Sequence, residues 1–251
     1  MKKILFFGII LYAPYSISQE CECKGQYIQN CDFLIESEIQ VKFSGICLTN
    51  EIFEFGLVEF STGDTFYGSF HKNKKPFLGR YDWNQGNIAF GKFSEDNLSF
   101  VGEMKQGKIL QKGFFENHPS LNIFGLSGYG ESYNEGQFSK KISNWKAVKN
   151  QVCMNGYSSL SDRDQTWEAF LNFKNCKAEG KAYFVYKNGK KKVETYRRDR
   201  LIKTTQGFSE KESLEYEKYK GLINDDTNAY LLKVNEIISD AKRLVSEKNK
   251  F

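Results

Sequence analysis

The feature that most constrains the fold of this 251-residue chain is a series of glycines that recur every 11 or 12 residues. They are Gly45, Gly56, Gly68, Gly79, Gly91, Gly102, Gly113, Gly125 and Gly136. The residues two before and two after each glycine are mostly apolar or aromatic, as in Phe66-Tyr67-Gly68-Ser69-Phe70. Because alternate residues of a strand share one face, each repeat predicts a strand whose inner face carries a large residue, a glycine and a large residue.

Residues typical of tight turns lie midway between these glycines, as in Ser61-Thr62-Gly63-Asp64 and Asn84-Gln85-Gly86-Asn87. Asn, Asp and Gly tolerate the backbone conformations that hairpin turns require. The 22 Phe and 14 Tyr residues also favour strands. Strand and turn signals therefore alternate in step, which predicts consecutive β-hairpins. The alternative is an ordinary antiparallel sheet whose glycine spacing is accidental.

At these residues the chain resembles the MORN repeat family, in which an aromatic-x-Gly-x-aromatic strand is followed by a glycine-containing turn. The best matches are Gly63–Phe70 and Gly86–Phe93, with a weaker one at Phe100–Met104, and the resemblance covers about residues 43–140. From Gly113 onward the turn glycines become irregular. The resemblance implies a mainly β fold, a single-layer antiparallel array of MORN-like β-hairpins on which other proteins or membranes dock. We expect a C-terminal α-helical segment to follow it.

The start of the chain reads as a secretory signal. Two lysines precede an apolar run from Ile4 to Tyr12, and Ser16 and Ser18 fit the small residues before a cleavage site. We predict a signal peptide over residues 1–18 and export to the periplasm, the cell surface or the medium. The alternative is an uncleaved anchor helix, for which the run is short.

Cysteine usage agrees with export, because all six cysteines follow the predicted cleavage site and an even number suits an oxidising compartment. They are Cys21, Cys23, Cys31, Cys47, Cys153 and Cys176. The simplest pairing joins Cys153 to Cys176 and leaves two bridges among the first four, whose connectivity the sequence leaves open. A four-cysteine zinc site is the alternative, although the spacing matches no standard zinc pattern.

We expect four regions after the signal peptide. Residues 19–42 form a cysteine-rich cap that closes the exposed edge of the array. Residues 43–142 form the hairpin repeats. Residues 143–207 form a small β-rich unit with a short helix from Asp162 to Asn172 and a hairpin at Asn188-Gly189. Residues 208–251 are helical.

Two helices are predicted in this last region. The first runs from Ser209 to Ile223, and a residue among 225–227 caps a second that reaches about Lys248. The second helix carries an apolar stripe formed by Leu231, Val234, Ile238, Ala241 and Val245. This stripe packs on the chain's own sheet or docks a partner.

Few residues suggest catalysis. The chain has no HExxH, Walker A, nucleophile-elbow or dinucleotide-binding pattern, and His71 and His118 lie in predicted loops. A net charge of +5 is too small to indicate nucleic-acid binding. We therefore predict no catalytic residue, no metal, no cofactor and no enzymatic activity. The alternative is a hydrolase acting on envelope glycan or lipid, which requires a pocket with convergent acids or a histidine.

The leading candidate for binding is a basic and aromatic segment around the Asn188-Gly189 turn. Its residues are Lys187, Lys190, Lys191, Lys192, Arg197, Arg198, Arg200, Tyr186 and Tyr196. Such a patch suits an acidic protein face, an anionic lipid surface or an acidic glycan. The alternative is a solvated hairpin whose lysines keep an edge from pairing.

A second candidate is a set of exposed aromatics such as Tyr67, Trp83 and Phe90. Together these signals predict an exported binding or scaffold protein of the cell envelope with a protein partner, and anionic lipid or glycan as the alternative ligands.

Overall fold

A computed structural model describes residues 23–35, 39–49, 52–96, 98–118, 123–135, 139–148, 151–162 and 164–248. These residues form sixteen strands and one helix. The strands are β1 (Gln26–Ile35), β2 (Ile39–Thr49), β3 (Ile52–Phe60), β4 (Thr65–Phe70), β5 (Pro76–Asp82), β6 (Ile88–Phe93), β7 (Ser99–Gln106), β8 (Ile109–His118), β9 (Ile123–Asn134), β10 (Ser139–Val148), β11 (Gln151–Asp162), β12 (Trp167–Lys174), β13 (Lys177–Ala178), β14 (Gly180–Tyr186), β15 (Lys191–Arg197) and β16 (Arg200–Gln206). The helix is α1 (Glu210–Lys248).

All sixteen strands belong to one antiparallel sheet in which each strand pairs with its neighbours in the sequence. The short strand β13 pairs with β12, and β14 takes the next place beside β12. The predicted fold is therefore confirmed as a single antiparallel sheet of hairpins with a C-terminal helix. The sheet continues through residues 42 and 142, where domain boundaries were expected, because β2 and β10 run across them.

The repeat glycines lie directly opposite one another across the strands. Gly45 pairs with Gly56, and the row continues through Gly68, Gly79, Gly91 and Gly102 to Gly113. A Cβ added to Gly102 would lie 2.2 Å from the carbonyl oxygen of Phe90, and one added to Gly79 would lie 2.3 Å from that of Tyr67. The backbones of neighbouring strands thus approach too closely along this row for any side chain.

The strands bend at the glycine row and bring large residues together on one face, which we call the inner face. Phe66 and Phe70 flank Gly68 with ring centroids 5.3 Å apart, although four residues of straight strand span about 13 Å. Phe43 of β2 and Phe53 of β3 lie on opposite sides of the row, and their rings stack at 3.9 Å. The sheet thereby fills its inner face with its own aromatic residues, and these form two buried clusters.

The glycine row changes course after Gly113. A bulge between Gly113 and Phe114 sets Gly113 opposite Gly130, and Gly125 instead pairs with Glu116. The Leu126 side chain fills the space over Gly113 and Gly130, since its Cδ2 lies 2.8 Å from the position of a Cβ on Gly113. The prediction that Gly125 continues the row is therefore wrong, and Gly136 lies outside the described residues.

The helix α1 crosses the strands on the opposite face, which we call the outer face. Its 39 residues span about 58 Å, and it contacts each strand from β4 to β12. One side of α1 is buried along its length. Its buried residues are Tyr216, Ile223, Thr227, Leu231, Val234, Ile238, Ala241 and Val245. Lys242 also forms an ion pair with Glu103 at 2.6 Å. Packing on the chain's own sheet is therefore the role of the predicted apolar stripe.

The expected break between two helices is wrong, because α1 is continuous from Glu210 to Lys248. The Thr227 hydroxyl donates to the Ile223 carbonyl inside the helix instead of capping a new one. A capping box at Ser209 and Glu212 starts the helix: Ser209 N–H donates to Glu212 Oε2 at 3.0 Å, and Glu212 N–H donates to Ser209 Oγ at 3.3 Å.

The short helix expected from Asp162 to Asn172 is also wrong, since β11 ends at Asp162 and β12 begins at Trp167. The Asp162 carboxylate accepts the Thr166 N–H at 2.6 Å and thereby holds a turn between the two strands. Apolar residues cover both faces of β12: Phe170 packs against Tyr216 of α1, and Leu171 belongs to a cluster on the inner face. Strands with two buried faces lack the alternation that distinguishes them from helices.

Disulfides join Cys23 to Cys47 and, as predicted, Cys153 to Cys176. Cys31 is also disulfide-bonded. The first bridge ties the chain before β1 to β2. The described residues of the expected cap form β1 and the start of β2. Disulfides are compatible with an oxidising compartment. Cys21 and the predicted signal peptide over residues 1–18 lie outside the described residues.

Candidate binding surface

The predicted basic segment falls at two ends of the last hairpins instead of in one patch. Lys187, Lys190 and Lys191 lie at the β14–β15 turn, whereas Arg197, Arg198 and Arg200 lie at the β15–β16 turn. The strand β15 separates the two groups by about 20 Å, which is six residue steps of extended chain. These two groups therefore cannot contact one small ligand together.

The remaining predicted residues, Tyr186, Lys192 and Tyr196, meet on the inner face around Glu194. Lys192 Nζ lies 2.8 Å from Glu194 Oε1, and the Tyr196 hydroxyl donates to Glu194 Oε2 at 2.5 Å. The Lys192 ammonium also lies 4.4 Å from the ring centroid of Phe184 and 5.8 Å from that of Tyr186. The charge of Lys192 is thus neutralised within the sheet and is not offered to a partner.

The pKa shifts in this network keep each of its groups in one protonation state near neutral pH. Burial raises the pKa of Glu194, but hydrogen bonds from Lys192 and Tyr196 outweigh it and hold the pKa below its usual value. Burial and the Glu194 carboxylate raise the pKa of Tyr196 to about 12. Near neutral pH the network therefore consists of an ammonium, a carboxylate and a neutral phenol, which stabilise the hairpin.

The β15–β16 turn is held by carboxylates that accept backbone hydrogen bonds. Arg198 N–H donates to Glu179 Oε2 at 2.8 Å, and Asp199 Oδ1 accepts the N–H of Ala178 at 2.5 Å. Both Arg198 and Asp199 have positive φ angles, 51° and 68°, as a tight hairpin turn requires. The two acids brace the loop, and their carboxylates point to backbone groups instead of to the neighbouring guanidinium groups.

The guanidinium groups at this turn are exposed. Within the described part of the chain, Arg197, Arg198 and Arg200 form no ion pair. The contact between Asp199 and Ala178 also brings the β12–β13 turn close, where Lys174 and Lys177 are exposed. Lys203 follows on β16 and is exposed as well. We call the set Lys174, Lys177, Arg197, Arg198, Arg200 and Lys203 the basic edge.

The sequence did not single out Lys174, Lys177 or Lys203. The first two approach the arginines only because the sheet sets the β12–β13 turn beside the β15–β16 turn. The disulfide between Cys153 and Cys176 ties the β12–β13 turn to β11. Lys203 had a signal in the sequence, since it lies three residues after Arg200 in a predicted β-rich unit.

Two acidic residues lie near the lysine group at the other turn. Lys187 lines a cavity of ≈ 440 Å³ together with Asp164 and Glu168. The Ser159 hydroxyl donates to Glu168 at 3.1 Å, and the Lys191 ammonium lies 5.2 Å from the ring centroid of Phe208. This end therefore carries mixed charges, whereas the basic edge carries an excess of one sign.

The predicted aromatic candidates divide between the two faces. Trp83 packs 4.7 Å from Tyr81 against the inner cluster, and Phe90 lies under Lys242 of α1 at 5.3 Å. Tyr67 stays partly exposed on the outer face and contacts Phe55 edge-on at 4.9 Å. With Tyr27, which the sequence did not indicate, these two residues line a groove of ≈ 600 Å³.

His71 lies in the predicted loop after β4, where its Nε2 is 3.0 Å from the carbonyl oxygen of Phe93. His118 is the last residue of β8 and does not lie in a loop. Its side chain is outside the described part of the structure. No group of three or more His, Cys, Asp and Glu side chains in the described residues is arranged to hold a metal ion. No described helix has the length and hydropathy needed to cross a membrane.

Comparison of the sequence with protein-family models finds no match, and a search of curated proteins finds no significant relative. The resemblance to MORN repeats therefore remains a prediction that rests on the glycine pattern of this chain.

Proposed function

We propose that this chain is an exported, MORN-like binding or scaffold protein of the cell envelope whose partner is another protein. The observation that carries the proposal is the basic edge, where Arg197, Arg198 and Arg200 are exposed and lack an ion pair within the described chain. Unpaired guanidinium groups recognise carboxylates strongly because they donate two parallel hydrogen bonds. The continuous sheet, crossed by α1, supplies a rigid support for such a surface.

A protein partner fits this surface better than a lipid or a glycan. The basic edge is joined to β16, where Leu201 and Ile202 are 48% and 56% exposed. A protein can meet charges, apolar side chains and a row of backbone donors and acceptors together, whereas a lipid surface offers no such row. The apolar run before residue 18 and the disulfides support export to an oxidising compartment.

The proposal is tested with two variants of the full chain that remove the same charge. One replaces Arg197, Arg198 and Arg200 by alanine, and the matched control replaces Lys187, Lys190 and Lys191 by alanine. Each immobilised protein captures partners from an envelope extract, and its binding to phosphatidylglycerol vesicles is measured in parallel. We expect a protein that is retained by the wild type and the lysine control, lost with the arginine variant and weakened by salt.

Two results would contradict the proposal. Equal capture by the arginine variant and the wild type would remove the basic edge from the function. Binding to vesicles that is strong, specific to the arginines and unaccompanied by any captured protein would make the ligand a lipid surface.

A further inference from the structure

The strand β16 ends the sheet, and no strand of the described chain covers its outer edge. All seven of its residues, Arg200–Gln206, are exposed. An open edge presents unpaired N–H and C=O groups, which makes it a template for another strand.

Hydrogen bonding to β15 shows which residues face outward. Gly207 N–H donates to the Lys191 carbonyl at 2.8 Å, and Val193 lies opposite Thr205. Alternate residues of an antiparallel strand direct their backbone groups to opposite sides. Thr205 therefore faces β15 with Gly207, whereas Thr204 and Gln206 direct their N–H and C=O groups to the open side.

The other edge of the sheet is less suited to pairing. The strand β1 has an irregular register between Ile28 and Cys31, and Asn30 within it has a φ angle of 52°. Bulges of this kind twist an edge and interrupt the row of donors and acceptors. The strand β16 has a register shift of its own, opposite Thr195 and Tyr196, but its pairing is regular from Lys203 to Gln206, where the outward groups of Thr204 and Gln206 lie. Gln26–Ile35 also contains no lysine or arginine, so β16 is the edge that combines open backbone groups with charge.

The charges of the basic edge select the strand that can add. A second copy of β16 would place Arg200 and Lys203 near the same cations of its partner, and like charges across a strand pair are unfavourable. A strand that carries aspartate or glutamate would meet Arg200 and Lys203 of β16 with opposite charge. The exposed Leu201 and Ile202 would also receive apolar residues of such a strand.

We propose that the partner binds through an extended acidic segment that adds a strand to the open edge of β16. This inference rests on the proposed function and specifies how the partner is held. Backbone hydrogen bonds at Thr204 and Gln206 supply the pairing, and the basic edge selects acidic sequences. The same cations that prevent self-association thereby admit a strand of opposite charge.

The probe is a synthetic peptide of alternating Val and Glu residues, added to the full disulfide-bonded chain. The comparison peptides are a Val and Lys version and an acidic version interrupted by proline, which keeps the charge but cannot form a strand. We expect only the uninterrupted acidic peptide to bind, more weakly at high salt. We also expect amide exchange at Thr204 and Gln206 to slow by about tenfold when it is bound.

The variant Thr204→Pro separates strand addition from charge attraction. It removes an outward N–H that β15 does not use, and Thr204→Val is the matched control that keeps this donor. We expect Thr204→Pro to weaken the peptide by about tenfold or more and Thr204→Val to bind like the wild type. Arg198→Ala combined with Arg200→Ala should weaken binding and flatten its salt dependence.

Equal binding of the interrupted and uninterrupted acidic peptides would overturn strand addition, whether or not Thr204→Pro folds normally. Wild-type affinity in a folded Thr204→Pro variant would do the same. If the arginine variants still lose the captured protein in that case, the proposed function stands and only the mode of binding is wrong. If the arginine variants still bind both the peptide and the captured protein, strand addition and the proposed function are both rejected.

Discussion

Gly102→Ala tests how the sheet is built with a single added methyl group. Its Cβ would lie 2.2 Å from the Phe90 carbonyl oxygen and 2.7 Å from the Gly91 Cα. Because both obstructing atoms belong to the backbone, no side chain can turn away, and β6 and β7 must separate by about 1 Å to restore van der Waals contact. Overpacking costs about 1–3 kcal/mol, and we expect the upper end, about 3 kcal/mol.

The measurement is the free energy of unfolding in urea, followed by tryptophan fluorescence, with an unchanged dependence on urea concentration. The control is Gly221→Ala in α1, where an added Cβ meets nothing within 4 Å. Alanine is a better helix former than glycine, so the control should gain about 0.5–1 kcal/mol. Gly91→Ala should cost less in the Gly102→Ala background than alone, because β6 and β7 are already displaced. A Gly102→Ala protein within about 0.5 kcal/mol of the wild type would refute the requirement for a glycine row.

Two further predictions concern α1. The Ser209 N–H and Lys181 lower the pKa of Glu212 to about 2 from 4.5, so its stabilisation is present above about pH 4.5 and is lost as the pH falls toward 2. After allowance for solvent screening, Glu212→Gln should cost about 1–2 kcal/mol at pH 7 and less at pH 3 in urea unfolding, and an equal cost at both values would contradict this account. Val234 is fully buried and Leu232 is 64% exposed. Val234→Asp should therefore destabilise the protein by about 3 kcal/mol or more and speed amide exchange in α1, whereas Leu232→Asp should have little effect. Similar effects of the two changes would mean that α1 does not pack as described.

The glycine row could be predicted from the sequence because its cause is local. Every glycine of the row from Gly45 to Gly113 has a neighbouring backbone where a side chain would lie, so the spacing of the row records the strand register directly. The change from Gly125 to Gly130 could not be read in the same way, because it depends on a bulge and on the Leu126 side chain that fills the gap. The helix expected at Asp162–Asn172 failed for a related reason, since α1 and the inner cluster cover β12 from both sides.

The basic segment shows a different limit of the sequence. Lys191, Lys192 and Arg197 lie within one strand, yet the first is exposed at one end, the second pairs with Glu194 and the third belongs to the basic edge. These cations are close together in the sequence, but the extended strand β15 holds them apart, so they do not form one patch. Lys174 and Lys177 joined the patch through the sheet register, which the charge pattern alone does not reveal.

The architecture limits where a partner can bind. Aromatic side chains fill the inner face, and α1 covers the outer face from β4 to β12. Two surfaces that stay accessible in the described part of the chain are the open edge of β16 and the groove beside Tyr27. The two surfaces differ in chemistry, because the groove is largely apolar and the edge is cationic. A partner held at the groove would be weakened by Tyr27→Ala, would resist salt and would ignore Thr204→Pro. A partner held at the edge would show the reverse pattern, since charge attraction and strand pairing act together there.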